Sequence, residues 1–186
     1  MDVETKLDVK MYNISLLTIT PPKKTNGGYN LKILYNNKNF NIQSPLCKIV
    51  DINYNSKVSK NNYIILSFII GKNFNHFQFF GVLEHQIVEE MGKYFKNSKY
   101  DILNETGSEN LEDVVNININ RIKEIQMTVK VKILSDVLFF NKEKTEISGK
   151  ELEIGDKVVL ILKTNGIFCD SKSASLAWKT SQILKF

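Results

Sequence analysis

A mainly β domain, closed or partly closed as a barrel and carrying one principal helix between its two halves, is the fold class the sequence predicts. Three observations lead to it. Apolar and polar residues alternate over short stretches through most of the 186 residues, turn-forming Asn, Gly and Pro clusters separate those stretches, and a helical period stands out in only one place. Sequential hairpins hide their edges best when the sheet closes on itself. The length suits one domain over 1–186, large enough to bury a core without metal or disulfide.

The first strand is expected over Tyr12 to Thr20, β-branched and apolar, and Pro21-Pro22 stops it. A loop, KKTNGG, leads into YNLKILY, where Leu31 and Ile33 face one side and Lys32 and Leu34 the other. Asn36 to Asn39 reads as a hairpin turn into FNIQ, and Pro45 closes this unit. After a polar connector, Asn62 to Ile70 is apolar on both faces, as in a central strand. Gly71 turns the chain, and Phe74 to Phe80 is expected to return as its partner strand. The period then changes: Leu83, Ile87, Met91 and Tyr94 form one stripe of a helix over Val82 to Phe95, which Asn97 and Ser98 end.

Residues 101–113 hold five acids and neither Lys nor Arg, which marks an acidic loop or insertion. Val114 to Ile119 suggests a short strand, and Arg121 to Gln126 is ambiguous. From Met127 to Leu134, Val129, Val131 and Ile133 alternate with Lys130 and Lys132, the pattern of a half-buried strand with a basic outer row. A turn at Ser148-Gly149 precedes a core strand, Lys157 to Lys163. Thr164-Asn165-Gly166 carries a hairpin-turn signal, because Asn and Gly tolerate positive φ. Ile167 to Cys169 and Leu176 to Ile183 pair last, across the polar tip DSKSAS.

Composition narrows the function. The net charge is +5, with the lysine excess in the first hundred residues, a balance compatible with a polyanionic partner. Cys47 and Cys169 form no CxxC and have no neighbouring His, so a reducing compartment fits, and no metal site, disulfide framework or cofactor is expected. The N-terminus has acids and no apolar run, and no stretch is long enough to span a bilayer. A soluble intracellular protein without a membrane partner is expected. No GxGxxG or GxxxxGK[ST] cradle occurs. His76 and His85 read as surface or boundary residues, and Glu89-Glu90 and Glu112-Asp113 as solvated carboxylates, so no catalytic residue and no enzyme activity are expected.

Single-strand binders need cations for phosphates and exposed rings on which unpaired bases stack. Lys130 and Lys132 precede a hairpin that carries Phe168, Lys172, Trp178 and Lys179. Lys32 and Tyr35, with Tyr29, repeat the alternation in the first half, and Lys57, Lys60 and Tyr63 extend it. For each aromatic the alternative is packing: Trp178 and Phe168 divide between core and base contact, and Phe68, Phe79 and Phe80 are expected in the core.

Two blocks carry a resemblance. The first is IQSPLCKIVDINYN with YIILSFIIG and FNHFQFFGVLEHQIVEEMGKYF, and the second is MTVKVKILSDVLFF with ISGKELEIGDKVVLILKTNGIFCDSKSASLAWKTSQI. Together, from about Ile42 to Ile183, they resemble the OB-fold single-stranded DNA-binding proteins of large double-stranded DNA viruses, relatives of the T7-type phage proteins. The motif positions fall on Ser44-Pro45, Gly166, Phe168, Leu176, Trp178, Lys179, Gln182 and Ile183.

The resemblance implies an elaborated OB-fold barrel that coats single-stranded DNA during replication, recombination or repair at viral or extrachromosomal replication sites. It also implies self-association and replication-protein partners. Trp178 and Lys179 would lead the contact set, with Phe168 and Lys172 at the mouth of the same hairpin. Ser175 replaces the family's small Gly, and the sequence ends SQILKF rather than in an acidic tail; the acidic stretch 101–113 reads first as an ordinary solvated loop, with a substitute competitor for the DNA groove or a partner site as the alternative. A virion-structural or protein-interaction module on the same barrel is the alternative, and RNA in place of DNA is a close variant.

Overall fold

The computed structural model describes residues 5–55, 62–94, 102, 111–122 and 126–186. In chain order the first strands are β1 (Thr5–Leu7), β2 (Leu17–Ile19), β3 (Lys23–Thr25), β4 (Gly28–Leu31), β5 (Ile33–Tyr35), β6 (Phe40–Gln43), β7 (Cys47–Asn53) and β8 (Tyr63–Ile69). The helix α1 (Phe74–Gly92) follows. Then come β9 (Val115–Asn116), β10 (Ile119–Ile122), β11 (Gln126–Phe140), β12 (Lys157–Cys169) and β13 (Ala174–Lys185).

Five strands close the barrel. β7 pairs β8, β8 pairs β11, and β12 pairs both β13 and β7, all antiparallel, while β11 pairs β13 in parallel. This circuit, with α1 between its second and third strands, is an OB-fold barrel with one helix, as the sequence led us to expect. The period-2 pattern places Ile64, Leu66, Val129, Val131, Leu160 and Leu176 inside, all 2% exposed or less. The N-terminal strands add a layer outside the circuit: β4 and β6 pair with β12, β1 with β6, and β3 with β4.

The helix begins eight residues before the expected Val82. Phe74 to Phe80 is its first two turns and not a strand, because Phe79, Phe80, Leu83, Ile87 and Met91 recur at helical spacing and are buried together. Phenylalanine's β preference is overridden by the gain from placing two rings over the barrel. Phe80 meets Trp178 edge to face at 5.4 Å between centroids, and Phe79 meets Tyr12 at 5.4 Å. The expected helix end at Asn97 and Ser98 lies outside the described residues, as does most of the acidic stretch 101–113. Of that stretch, Ile102 is buried and Leu111–Asp113 forms a 3-10 turn.

Three further expectations change. Residues 46–55, read as part of a polar connector, contain the barrel strand β7, in which Cys47 and Ile49 point inward and Lys48 and Val50 outward. KKTNGG is not a loop throughout, since Lys23–Thr25 forms β3 and pairs with β4. The hairpin expected at Thr164-Asn165-Gly166 is a bulge within one continuous strand, β12, where the register shifts between Thr164 and Ile167. Gly166 takes φ +89°, and a Cβ there would sit 2.1 Å from the Leu31 carbonyl oxygen. The same tolerance of positive φ that makes Asn-Gly a turn signal makes it a bulge when strands continue on both sides.

The turn between β12 and β13 is held by Asp170, whose Oδ1 accepts from the backbone N–H of Lys172 and of Ser173, each at 2.8 Å. The Lys172 N–H holds the Asp170 carboxyl below its ordinary pKa, against a smaller opposing effect of burial and with further help from Ser173. A carboxyl whose pKa is lower folded than unfolded stabilises fully above the unfolded value and loses that contribution as pH falls through the folded one. The stability difference between wild type and Asp170→Asn, read from urea unfolding, is expected to be constant near neutral pH. It should shrink as the solution is acidified through and below the usual aspartate range.

Candidate nucleic-acid interface

The barrel's outer surface is organised by strand register. Asn53 on β7 lies opposite Tyr63 on β8, Tyr63 opposite Lys132 on β11, Lys132 opposite Lys179 on β13, Lys179 opposite Lys163 on β12, and Lys163 opposite Asn41 on β6. One row therefore crosses six strands in the order Asn, Tyr, Lys, Lys, Lys, Asn. At about 4.8 Å per strand it spans about 24 Å of curved surface. The alternate residues of the same strands, Ile64, Val131, Trp178 and Leu162, point into the core.

The row joins two concavities. A stacking groove of about 380 Å³ is lined by Asn53, Asn62, Tyr63, Asn118, Lys130 and Lys132, with Ala177 and Trp178. It lies on the faces of the barrel's second and third strands, the surface on which OB folds hold oligonucleotides. On the other side of Lys179, a lysine groove of about 730 Å³ is lined by Lys23, Lys32, Lys163 and Lys179 together with Asn30, Asn39 and Thr20. Neither groove has a carboxylate among its described lining residues.

Tyr63 is the ring of the first groove. Its hydroxyl donates to Asp51 Oδ2 at 3.0 Å, which holds the ring in place and raises the phenol's pKa. Lys130 reaches diagonally across the β8–β11 pair to set its Nζ 4.5 Å from the centre of the Tyr63 ring. The ammonium covers one face of this half-exposed ring, so a base that stacks on that face displaces Lys130, whose charge then lies beside the strand to meet a phosphate.

Lys179 sits between two lysines in register. Partial burial lowers its pKa, and the charge of Lys132 lowers it further. Like charges directly opposite one another destabilise a sheet, so the Lys132–Lys179 pair is electrostatically unfavourable until an anion lies across it. Among the described residues, no carboxylate lies within 4.0 Å of the Lys130, Lys132, Lys179 or Lys32 ammonium groups.

The residues singled out in the sequence divide. Lys130, Lys132 and Lys179 are brought together, and Lys32 joins them through the lysine groove. Trp178 is not a stacking ring: it is 1% exposed, its indole N–H donates to the Ile117 carbonyl at 3.1 Å, and Phe80 covers it. Tyr35 is half-buried, accepts from the Asn13 N–H at 3.0 Å and packs edge-on to Phe40, so it enters neither groove. Phe168 is 40% exposed on the outer face, in register with Asn30 and Ser175 and close over Gly28. Lys172 is exposed at the β12–β13 tip, apart from both grooves. Lys57 and Lys60 lie outside the described residues.

Lys23 and Lys163 were not singled out as contacts, and Tyr63 only as an accessory. Tyr63 was legible as the outward member opening a strand, but the register that sets Lys163 beside Lys179 has no local signal. Both cysteines are buried, and burial pushes each thiol up to about 12, so neither is a thiolate at neutral pH.

No family model matches the sequence, and no curated protein does. Among solved structures, the chain is similar to gp2.5, a single-stranded DNA-binding protein encoded by bacteriophage T7. The TM-score is 0.57 at 8% identity, covering 78% of this chain and 90% of that one. The single-stranded DNA-binding protein from bacteriophage Enc34, in a C-terminally truncated form, aligns with a TM-score of 0.47 at 12% identity over 90% of this chain and 94% of that one. The same protein in complex with single-stranded DNA gives 0.44 at 13% identity, over 90% and 94%. At such identities the likeness to gp2.5 is one of fold.

Proposed function

We propose that this protein binds single-stranded DNA without sequence preference, as a coating and protecting protein rather than an enzyme. The observation that carries the reading is the register row in which Lys132, Lys179 and Lys163 continue from Tyr63 around the barrel. Cations spaced by one strand repeat suit a flexible phosphodiester chain, and the ring at one end suits an unpaired base. The cations among the described lining residues are all lysines, flexible point charges rather than planar guanidinium forks. The barrel shared with gp2.5, described as a single-stranded DNA-binding protein, supports the reading.

We further propose, on the resemblance carried by the two sequence blocks, a role at sites of viral or extrachromosomal replication, recombination or repair and kinship with the barrels of large double-stranded DNA viruses. Self-association and contact with replication proteins belong to the same proposal.

The test is fluorescence anisotropy of labelled oligo(dT) against matched duplex at two salt concentrations. Tight, salt-sensitive binding of the single strand with weaker duplex binding is expected. Tyr63→Ala should weaken oligo(dT) binding by roughly 1–3 kcal/mol, the usual loss for one stacked base, while Tyr63→Phe keeps most of the affinity. Equal loss in both variants would assign the effect to the hydroxyl–Asp51 bond instead of the ring. Equal, weak affinity of the wild type for single strand and duplex would favour the protein-interaction alternative.

A further inference from the structure

We propose that the lysine groove is a second subsite that holds the phosphodiester backbone of the strand leaving the stacking groove, and does so without reading its bases. The inference rests on the single-stranded DNA reading and adds a division of labour within it. The two grooves meet along one edge, since Lys132 lines the first, Lys179 lines the second, and the two residues are register partners. A strand lying across Lys132 and Lys179 continues directly into the second groove.

The chemistry of the two halves differs. The stacking groove has the accessible ring of Tyr63. The lysine groove has four ammonium groups with hydroxyls and amides, and its one lining ring, Phe40, is 3% exposed. Ammonium, hydroxyl and amide N–H groups are phosphate-oxygen partners, and bases lacking a stacking face there are left toward solvent.

The groove is also built rather than accidental. Lys23 and Lys32 come from the N-terminal layer, outside the five-strand circuit. That layer is docked by the β4–β12 pairing, which depends on the close approach of Leu31 to Gly166. The Lys32 segment is fastened a second time, its backbone N–H donating to Thr20 Oγ1 at 2.9 Å and its carbonyl accepting from the Thr20 N–H at 2.9 Å. Phe168 lies on the same outward face, in register with Asn30, and is the ring that could contradict a backbone-only subsite.

The test uses three oligonucleotides: dT4, dT10, and dT4 extended by six abasic residues, which carry phosphates and sugars but no bases. With the wild-type protein both extensions are expected to raise affinity over dT4 by a similar factor, about tenfold. In Lys23→Ala/Lys32→Ala, both exposed and neither bonded through its side chain to the fold, the long-to-short affinity ratio should collapse toward one. The slope of log affinity against log salt for dT10 should fall by about 0.7 for each lysine removed. A gain from dT10 without a gain from the abasic extension overturns the backbone-only subsite and points to stacking on Phe168. An unchanged ratio in the double variant also overturns it, by placing the path elsewhere. Binding of none of the three oligonucleotides by the wild type refutes the DNA reading itself, a result distinct from tight dT4 binding with no length dependence, which refutes the second subsite alone.

Discussion

Trp178→Ala is expected to cost about 3–5 kcal/mol of folding stability, the range for removing a large buried aromatic, and so to lose DNA binding through unfolding rather than through a missing base contact. Typical domain stability is about 5–15 kcal/mol, so this is a large share of the total. The indole fills the barrel under α1, meets Phe80 edge to face and gives its N–H to Ile117, so truncation leaves a cavity and an unpaired carbonyl together. Urea unfolding followed by circular dichroism gives the difference. Trp178→Phe should keep most of the packing and lose the hydrogen bond, at a smaller cost. In the wild type, oligo(dT) should quench tryptophan emission little, because the single indole is 1% exposed beneath the stacking groove and offers no face for a base to stack on. Strong quenching, or a stable Trp178→Ala protein with specifically weakened DNA binding, would refute the assignment.

Replacing Lys132, Lys163 and Lys179 together by Gln should do the opposite, leaving the fold intact and removing most of the binding. With about 0.7 counterion released per phosphate contact on a single strand, three contacts at 0.1 M salt account for about two decades of affinity. The slope of log affinity against log salt should fall by about 2. The thermal midpoint should hold or rise, because the Lys132–Lys179 like-charge pair in register disappears, a pair that costs a few tenths of a kcal/mol, on the order of other cross-strand pairs. A fall in the midpoint together with unchanged affinity would show that the row holds the fold and not DNA.

Part of this site can be read directly from alternation. In MTVKVKI the inward residues Val129, Val131 and Ile133 place Lys130 and Lys132 outside, and the structure agrees. The same rule applied to LAWKTS would have set Leu176, Trp178 and Thr180 inward and Ala177 and Lys179 outward, which is what is found. For Trp178 the motif resemblance and the ring chemistry point toward a base contact, whereas its position in the strand points inward, and the strand position decides.

Two features lay beyond local pattern. Lys163 and Lys179 become neighbours through a hairpin that contains a bulge, and Lys179 meets Lys132 through a parallel pairing far apart in sequence. Neither register is encoded near the lysines themselves. The helix start was missed for a different reason. FNHFQFF is dense in a residue with β preference, and only its continuation through Leu83, Ile87 and Met91 reveals the longer period.

The strand that joins everything, β12, pairs with β4, β6, β7 and β13, yet begins only at Lys157. During synthesis the earlier segments therefore emerge from the ribosome before the strand that they dock against exists. Their unpaired edges must wait for β12 and β13, Lys157–Cys169 and Ala174–Lys185. Closure of the barrel then waits until β12 and β13 have both emerged, and a nascent chain stalled before residue 157 would present several open strand edges to chaperones.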